Sequence, residues 1–154
     1  MVEAELGRIS GKEDYVTVAL IEQRMTRPEQ AAEFVQATGA AALAVCIGNV
    51  HGRYPDEPRL DFERLAAIRG RVAVPLVLHG TSGLPDAMVR RAVELGVCKF
   101  NINTSLRQAY LQTVKLCLDA EPTVDVLDVM DAAIEAMSEI VHANIQLFGS
   151  ANHA

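Results

Sequence analysis

Two histidines in this sequence each follow an apolar run and are each followed by glycine. His51 lies near the end of the stretch Leu43–Gly52, and His79 lies near the end of Leu76–Gly80. Such runs predict buried strands of a parallel sheet, whose carboxyl ends share one edge with strands about 4.8 Å apart. Imidazole is a ligand that zinc prefers, so the pair predicts a metal site at this edge. The alternative is two unrelated histidines bonded to backbone.

The small residues that follow His79 form a second candidate site. Gly80–Gly83 precede a predicted helix start, where backbone N–H groups, hydroxyls and the helix dipole together favour a phosphate. An ordinary strand-to-helix turn is the alternative. The polar stretch Asn101–Ser105 ends the next predicted strand at the same rim and offers amide and hydroxyl donors. Asn103 or Thr104 is also a candidate N-cap of the following helix.

Acidic residues near the N-terminus are candidates for proton transfer or metal binding. Glu13 and Asp14 belong to a long segment with glycine, and a carboxylate on a closing loop can act as a general base. A solvated acidic loop is the alternative. Glu3 and Glu5 alternate with apolar residues, so they share one face of a short strand and could line a barrel interior or a metal site.

The elements that position these residues alternate between strand and helix. Strands are predicted at 2–6, 42–50, 74–78 and 97–102, and helices at 26–37, 61–69, 85–95, 104–119 and 126–148. Thr26 is the predicted N-cap of the first helix, Gly39 follows its end, and residues 7–25 are predicted as loop. The alternation predicts an α/β fold with a parallel sheet, and four βα units equal half of an eight-stranded barrel. We expect a single domain over residues 1–154.

Composition excludes several functional classes. Half of the 154 residues are hydrophobic and 22% are charged, as in ordinary globular proteins. The net charge of −6 provides no basic surface for nucleic acid or an anionic membrane. No apolar run approaches the roughly 18 residues of a membrane span, and no signal peptide is recognisable. We expect a cytoplasmic protein in which Cys46, Cys98 and Cys117 are buried free thiols.

Four motifs, in order, resemble the class II, metal-dependent ketose-bisphosphate aldolases. They are Glu3-Ala4-Glu5-Leu6-Gly7 with Gly11-x-Glu13-Asp14, Gly48-Asn49-Val50-His51-Gly52, Val74–Gly83 and Lys99-x-Asn101-x-x-Thr104. Leu60–Leu65 and Gly149–Asn152 are similar to the tagatose-bisphosphate branch. The resemblance covers nearly the whole chain. It implies the C-terminal half of a (β/α)8 TIM barrel, with four βα units and a terminal helix.

The resemblance also implies an activity and a set of site residues. The activity is that of a lyase: reversible aldol cleavage of a ketose 1,6-bisphosphate, tagatose or fructose, to dihydroxyacetone phosphate and glyceraldehyde 3-phosphate. His51 and His79 would bind Zn²⁺, with Glu5 as a further candidate ligand, and Glu13 would move the substrate proton. The implied phosphate site, with a monovalent cation near it, consists of Gly52, Gly80, Thr81, Ser82, Asn101, Ile102, Asn103 and Thr104.

The family pattern is incomplete in this chain. It contains no Asp-His pair, so the third zinc histidine and the adjacent acid-base aspartate of the family are missing. Residues Thr123–Asp128 stand where the tagatose branch usually carries a basic segment. We therefore expect little or no turnover by the isolated chain, and either a homo-oligomer or pairing with a separate N-terminal half. Two alternatives stay open: a non-catalytic or truncated half-barrel that needs a partner chain, and a phosphate-binding α/β module without metal.

Overall fold

A parallel sheet of four strands lies within the first 102 residues. The computed structural model describes residues 1–9, 22–51, 54 and 56–153. Within these residues the strands, adjacent in this order, are β1 (Glu3–Leu6), β2 (Ala42–Val45), β3 (Leu76–Leu78) and β4 (Val97–Phe100). All neighbouring pairs are parallel, which confirms the predicted α/β fold.

Within the described residues, the connections between strands contain the helices α1 (Pro28–Thr38), α2 (Phe62–Arg69) and α3 (Asp86–Glu94). Residues 22–24 are helical as well, so the prediction of loop over residues 7–25 is wrong there. Local sequence explains where they begin and end. The Asp61 side chain accepts a hydrogen bond from the backbone N–H of Arg64 at 2.8 Å, which satisfies a free donor at the start of α2. Gly39 ends α1 with φ +66°, a conformation that favours glycine. These bounds lie close to the predicted ones.

The predicted strand over residues 42–50 is too long. The strand β2 ends at Val45 because the backbone turns at Gly48, where φ is +104°. The Asn49 side chain accepts a hydrogen bond from the backbone N–H of Ile47 at 2.8 Å, so the amide group replaces a strand partner. The five residues after the strand therefore form a buried, ordered turn that leads to His51.

The two faces of the sheet differ in chemistry, because successive strand side chains alternate between faces. One face is apolar and is covered by the helices. Its residues are at most 3% exposed: Leu43, Val45, Leu76, Leu78 and Val97. On the other face, the pairing register aligns Glu5 with Ala44, Ala44 with Val77, and Val77 with Lys99. This second face carries charge at both edge strands and small or apolar side chains between them.

A contact across the charged face indicates that the sheet curves toward that face. Strands β1 and β4 are separated by β2 and β3, so a flat sheet would place them roughly 14 Å apart. Nevertheless, the Lys99 ammonium on β4 donates to the Glu3 carboxylate on β1 over 2.6 Å. Such curvature is what barrel closure requires, and the charged face is the concave one.

Thr26 has a different role from the predicted helix N-cap. The N-cap position of α1 is Arg27, and no side chain caps the helix there. The Thr26 hydroxyl is instead buried between two strand ends. It donates to the carbonyl oxygen of Leu6 and accepts from the backbone N–H of Cys46 at 2.8 Å. A tertiary bond between β1 and β2 thus replaces the local capping bond.

Replacing Thr26 by valine is expected to lower the free energy of unfolding by about 2 kcal/mol, because a buried N–H group loses its acceptor. Urea denaturation of the full chain measures this change. Thr123→Val is the matched control, since Thr123 is exposed in the turn that follows Pro122. Equal losses in the two variants would show that the Thr26 bridge adds no stability.

The second unit, Asn103–Ala154, contains helices α4 (Thr104–Ala120) and α5 (Val126–Leu147), which pack against each other. Val129 and Ala133 of α5 are buried, whereas Ile134 is 61% exposed. None of the helices in the described part of the chain is long and apolar enough to cross a membrane. The single domain over residues 1–154 stays a prediction.

The cysteines are free, as predicted, but they are not all buried. Cys46 is buried, and burial raises the pKa of its thiol. Cys117 is partly buried. The prediction of burial is wrong for Cys98, which is exposed on β4, an edge strand of the described sheet on which only Val97 is buried.

Candidate active site

His79 lies directly after β3 and is surrounded by acidic side chains from β1. Its Nδ1 atom is 2.8 Å from Oε2 of Glu5, and its Nε2 atom is 3.0 Å from Oε1 of Glu3. Lys99 contacts the other oxygen of Glu3, Oε2, at 2.6 Å. Glu3, Glu5, His79 and Lys99 therefore form one charged cluster on the concave face of the sheet.

The electrostatics of this cluster keep Glu3 ionised. The hydrogen bond from the Lys99 ammonium lowers the pKa of Glu3, and burial opposes this effect. The hydrogen bond with His79 lowers the same pKa further. Glu3 is therefore a carboxylate at neutral pH and can only accept hydrogen bonds from its two partners.

His51 completes a set of three potential metal ligands. Its ring centroid lies 6.1 Å from that of His79. Glu5, His51 and His79 each offer one ligand atom, and these atoms all lie within 4.8 Å of one another. Ligand atoms around a tetrahedral zinc are roughly 3.4 Å apart, given bonds of about 2.1 Å. Small side-chain rotations therefore suffice for the three donors to share one ion.

Backbone contact between two loops brings the histidines together. The Asn49 amide donates to the carbonyl oxygen of His79 at 3.1 Å and is almost completely buried. Gly80 is in direct contact with the backbone of Val50, since a Cβ atom on Gly80 would lie 2.1 Å from the Val50 carbonyl oxygen. The loop before His51 is thus fixed against the end of β3.

Tyr54 connects the same two loops. Its hydroxyl donates to the carbonyl oxygen of Gly80 at 3.0 Å and accepts from the backbone N–H of Val50 at 3.4 Å. Burial raises the pKa of Tyr54 to about 12, so the hydroxyl keeps its proton and its donor function under physiological conditions.

The turn after His79 has the features of an anion site. Gly80 and Gly83 have positive φ angles of +64° and +94°, and α3 begins shortly after the turn. Thr81 is 5% exposed, and its hydroxyl has no hydrogen-bond partner within the described part of the protein. A buried hydroxyl without a partner is costly, so this group is available to a ligand. Ser82 is partly exposed beside it.

The described structure does not test the roles of the other predicted site residues. Asn101 is exposed and Ile102 partly buried at the end of the first unit. Asn103 holds the N-cap position of α4 without a capping side-chain bond, and Thr104 is the first helical residue; both belong to the second unit. Gly52 and Glu13, like Asp14, lie outside the described residues. Their predicted roles stay predictions.

Sequence reasoning assigned no role to Lys99, Asn49 or Tyr54. Lys99 had a recognisable signal, since it is a lone charge within the strand Val97–Phe100. Asn49 had a recognisable signal as well, because it lies between an apolar run and a histidine. An amide side chain that is buried at such a position needs hydrogen-bond partners. Tyr54 gave none, because its contacts depend on how two distant loops meet.

A parallel βα array with imidazole and carboxylate donors near its strand ends is typical of metal-dependent TIM-barrel enzymes. Comparison with known proteins gives the particular family. The family model of class-II fructose-bisphosphate aldolases matches residues 1–153. The chain therefore belongs to the class-II fructose-bisphosphate aldolase family, a family of lyases.

Solved structures agree with this assignment. The YdjI aldolase from Escherichia coli K12 is 42% identical with a TM-score of 0.82, covering 99% of this chain and 51% of that one. A protein from Coccidioides immitis, provisionally assigned as a fructose-1,6-biphosphate aldolase, is 35% identical with a TM-score of 0.85. The match covers 98% of this chain and 53% of that one. Fructose-bisphosphate aldolase from Campylobacter jejuni shares the fold, with 23% identity and a TM-score of 0.73. The match covers 96% of this chain and 51% of that one. The chain spans about half the length of these structures.

Proposed function

We propose that this chain carries part of the active site of a zinc-dependent aldolase. The reaction is the reversible cleavage of a ketose 1,6-bisphosphate, tagatose or fructose, to dihydroxyacetone phosphate and glyceraldehyde 3-phosphate. The observation that carries the proposal is the donor set of Glu5, His51 and His79, whose ligand atoms lie within 4.8 Å of one another. We further propose that the isolated chain turns over little or no substrate and needs a second polypeptide, either another copy or a separate N-terminal half.

The donor chemistry of the site suits zinc. Two imidazoles and one carboxylate are a common ligand set of catalytic zinc sites, in which a further position stays open. Zinc bound there would supply Lewis-acid polarisation of a ketone oxygen. His51 and His79 would hold the ion, and Glu13 is proposed to move the substrate proton. Dihydroxyacetone phosphate contains both the ketone and the phosphate that such a site needs.

The turn Gly80–Gly83 supports the phosphate half of the proposal. It begins next to His79, so a ligand bound at the turn is within a few ångströms of the proposed metal. The buried Thr81 hydroxyl would donate to a phosphate oxygen. Gly52, Ser82 and the residues Asn101–Thr104 are proposed as further phosphate contacts, with a monovalent cation nearby. The three free cysteines are in keeping with a reducing, cytoplasmic location.

Zinc titration and an enzyme assay test the function directly. Isothermal titration of the metal-free chain should show one zinc site. Cleavage of tagatose and fructose 1,6-bisphosphate should be absent or very slow with the chain alone. Turnover at an ordinary aldolase rate that a chelator abolishes would contradict the proposed dependence on a second polypeptide. Absence of zinc uptake would contradict the metal site itself.

Replacing Thr81 by valine tests the phosphate turn. We expect the affinity of the zinc-loaded chain for dihydroxyacetone phosphate to fall roughly 10-fold or more, because a hydrogen bond to a charged group is lost. The stability of the free chain should be unchanged or slightly higher, since valine removes an unpaired buried hydroxyl. Thr113→Val on α4 is the matched control. A clear loss of stability in Thr81→Val alone would mean that the hydroxyl is already bonded in the free protein.

One observation favours a phosphate-binding module without metal as the second candidate. Both ring nitrogens of His79 already face carboxylate oxygens, which a protonated histidine would satisfy without any ion. Zinc titration separates the two candidates, because a metal-free module would bind dihydroxyacetone phosphate equally well after treatment with a chelator.

A further inference from the structure

The two ring nitrogens of His79 lie in different surroundings. Nδ1 is 2.8 Å from Glu5, which belongs with His51 to the set of potential metal ligands. Nε2 is 3.0 Å from Glu3, which is not part of that set. An ion between Glu5, His51 and His79 would therefore lie on the Nδ1 side of the ring. Nε2 would stay bonded to Glu3.

We propose that Glu3 is a positioning residue that keeps a hydrogen atom on Nε2 of His79, so that Nδ1 is the nitrogen presented to the metal. This inference rests on the metal site proposed above. The partner of one imidazole nitrogen decides which tautomer is present and which nitrogen can bind a metal. Glu3 would thus act through His79 and would not contact the ion.

The surroundings of Glu3 suit this role. Its Oε2 atom is bonded to Lys99 at 2.6 Å, which leaves Oε1 directed at His79. The carboxylate is therefore held from two sides, by a cation on β4 and by the imidazole after β3. Glu5 cannot fix the tautomer in the same way, because its oxygen occupies the direction from which the metal would approach Nδ1.

The test uses the full chain labelled with ¹⁵N-histidine and loaded with zinc. Long-range ¹H–¹⁵N correlation identifies which nitrogen of each histidine carries hydrogen, and His79→Gln assigns the His79 signals. In the unmodified chain we expect hydrogen on Nε2 and zinc on Nδ1. Glu3→Leu should lose this single tautomer. Its zinc dissociation constant should rise about 10- to 100-fold, as expected when a metal-bound histidine loses the hydrogen-bond partner of its other ring nitrogen.

Glu3→Gln separates positioning from charge. Glutamine removes the same negative charge as leucine but keeps an oxygen that accepts from Nε2–H. It should therefore keep the tautomer and bind zinc more tightly than Glu3→Leu. Glu29→Gln, which removes a carboxylate bonded to Arg71 at 3.3 Å, is the control for a distant charge change. Urea denaturation confirms that all variants are folded.

Several outcomes would overturn the inference. Zinc on Nε2 in the unmodified chain would exclude it, as would a Glu3→Leu variant with an unchanged tautomer and affinity. Equal effects of Glu3→Leu and Glu3→Gln would show that only the charge matters. A chain that takes up no zinc at all would overturn the proposed function as well, so the two failures are distinguishable.

Discussion

Replacing His79 by alanine is expected to raise the zinc dissociation constant roughly 100-fold or more. The expectation follows from sharing the binding free energy of a zinc site among its few ligands, which gives about 3 kcal/mol for each. His79 is also the residue on which the site is centred, since its ring contacts both Glu3 and Glu5. Titration with a competing chromogenic chelator measures the change.

His142→Ala is the matched control for this variant. His142 lies on α5 in the second unit and does not belong to the set of potential ligands found among the described residues. Its replacement should leave zinc binding unchanged. A zinc dissociation constant of His79→Ala within about threefold of that of the unmodified chain would show that the ion lies elsewhere. Loss of one ligand should raise the constant by much more than that.

The sequence predicted the histidine pair because the pattern behind it is local. An apolar run identifies a buried strand, and all carboxyl ends of a parallel sheet lie at one edge. His51 and His79 each follow such a run, so their proximity required no knowledge of the tertiary structure. The Glu3 and Glu5 alternation was equally readable, since a strand places residues two apart on the same face.

The bond between Lys99 and Glu3 could not be predicted in this way. Strand order alone places β1 and β4 at opposite edges, and their contact depends on the curvature of the sheet and on the reach of the Lys99 and Glu3 side chains. Thr26 likewise could not be assigned from local sequence, because its hydroxyl could either cap a helix or bond to distant backbone. The local signal favoured a helix cap, and the tertiary bonds to Leu6 and Cys46 prevailed.

Gly80 directly follows His79 and contacts the backbone of the loop that leads to His51. Replacing Gly80 by alanine is expected to lower the free energy of unfolding by at least about 4 kcal/mol. Two effects add. An alanine at φ +64° costs about 1–2 kcal/mol, and its Cβ atom would lie 2.1 Å from the Val50 carbonyl oxygen. Backbone must move to relieve that contact, since no side-chain rotation can. Urea denaturation of the full chain measures the loss.

Gly39→Ala isolates the conformational part of this loss. Gly39 has nearly the same φ angle, +66°, but within the described part of the chain no atom lies within 4 Å of the position that an alanine methyl group would take. It should therefore lose only the roughly 1–2 kcal/mol of the left-handed conformation. If the Gly80→Ala protein is insoluble while the Gly39→Ala protein is soluble, the prediction is also supported, because the loss of stability is then too large for the chain to fold. Equal losses would mean that the Val50 loop yields easily.

The Gly80 contact also connects stability to the proposed chemistry. Val50 precedes His51, so any backbone shift that accommodates a methyl group moves one proposed zinc ligand relative to another. Folded Gly80→Ala protein should consequently bind zinc more weakly than folded Gly39→Ala protein, by the same titration. Unchanged zinc affinity in a destabilised Gly80→Ala chain would show that the two histidines are positioned independently of this loop contact. We therefore expect Gly80 to set the position of His51 relative to His79, because its close contact is with the backbone of Val50 and His51.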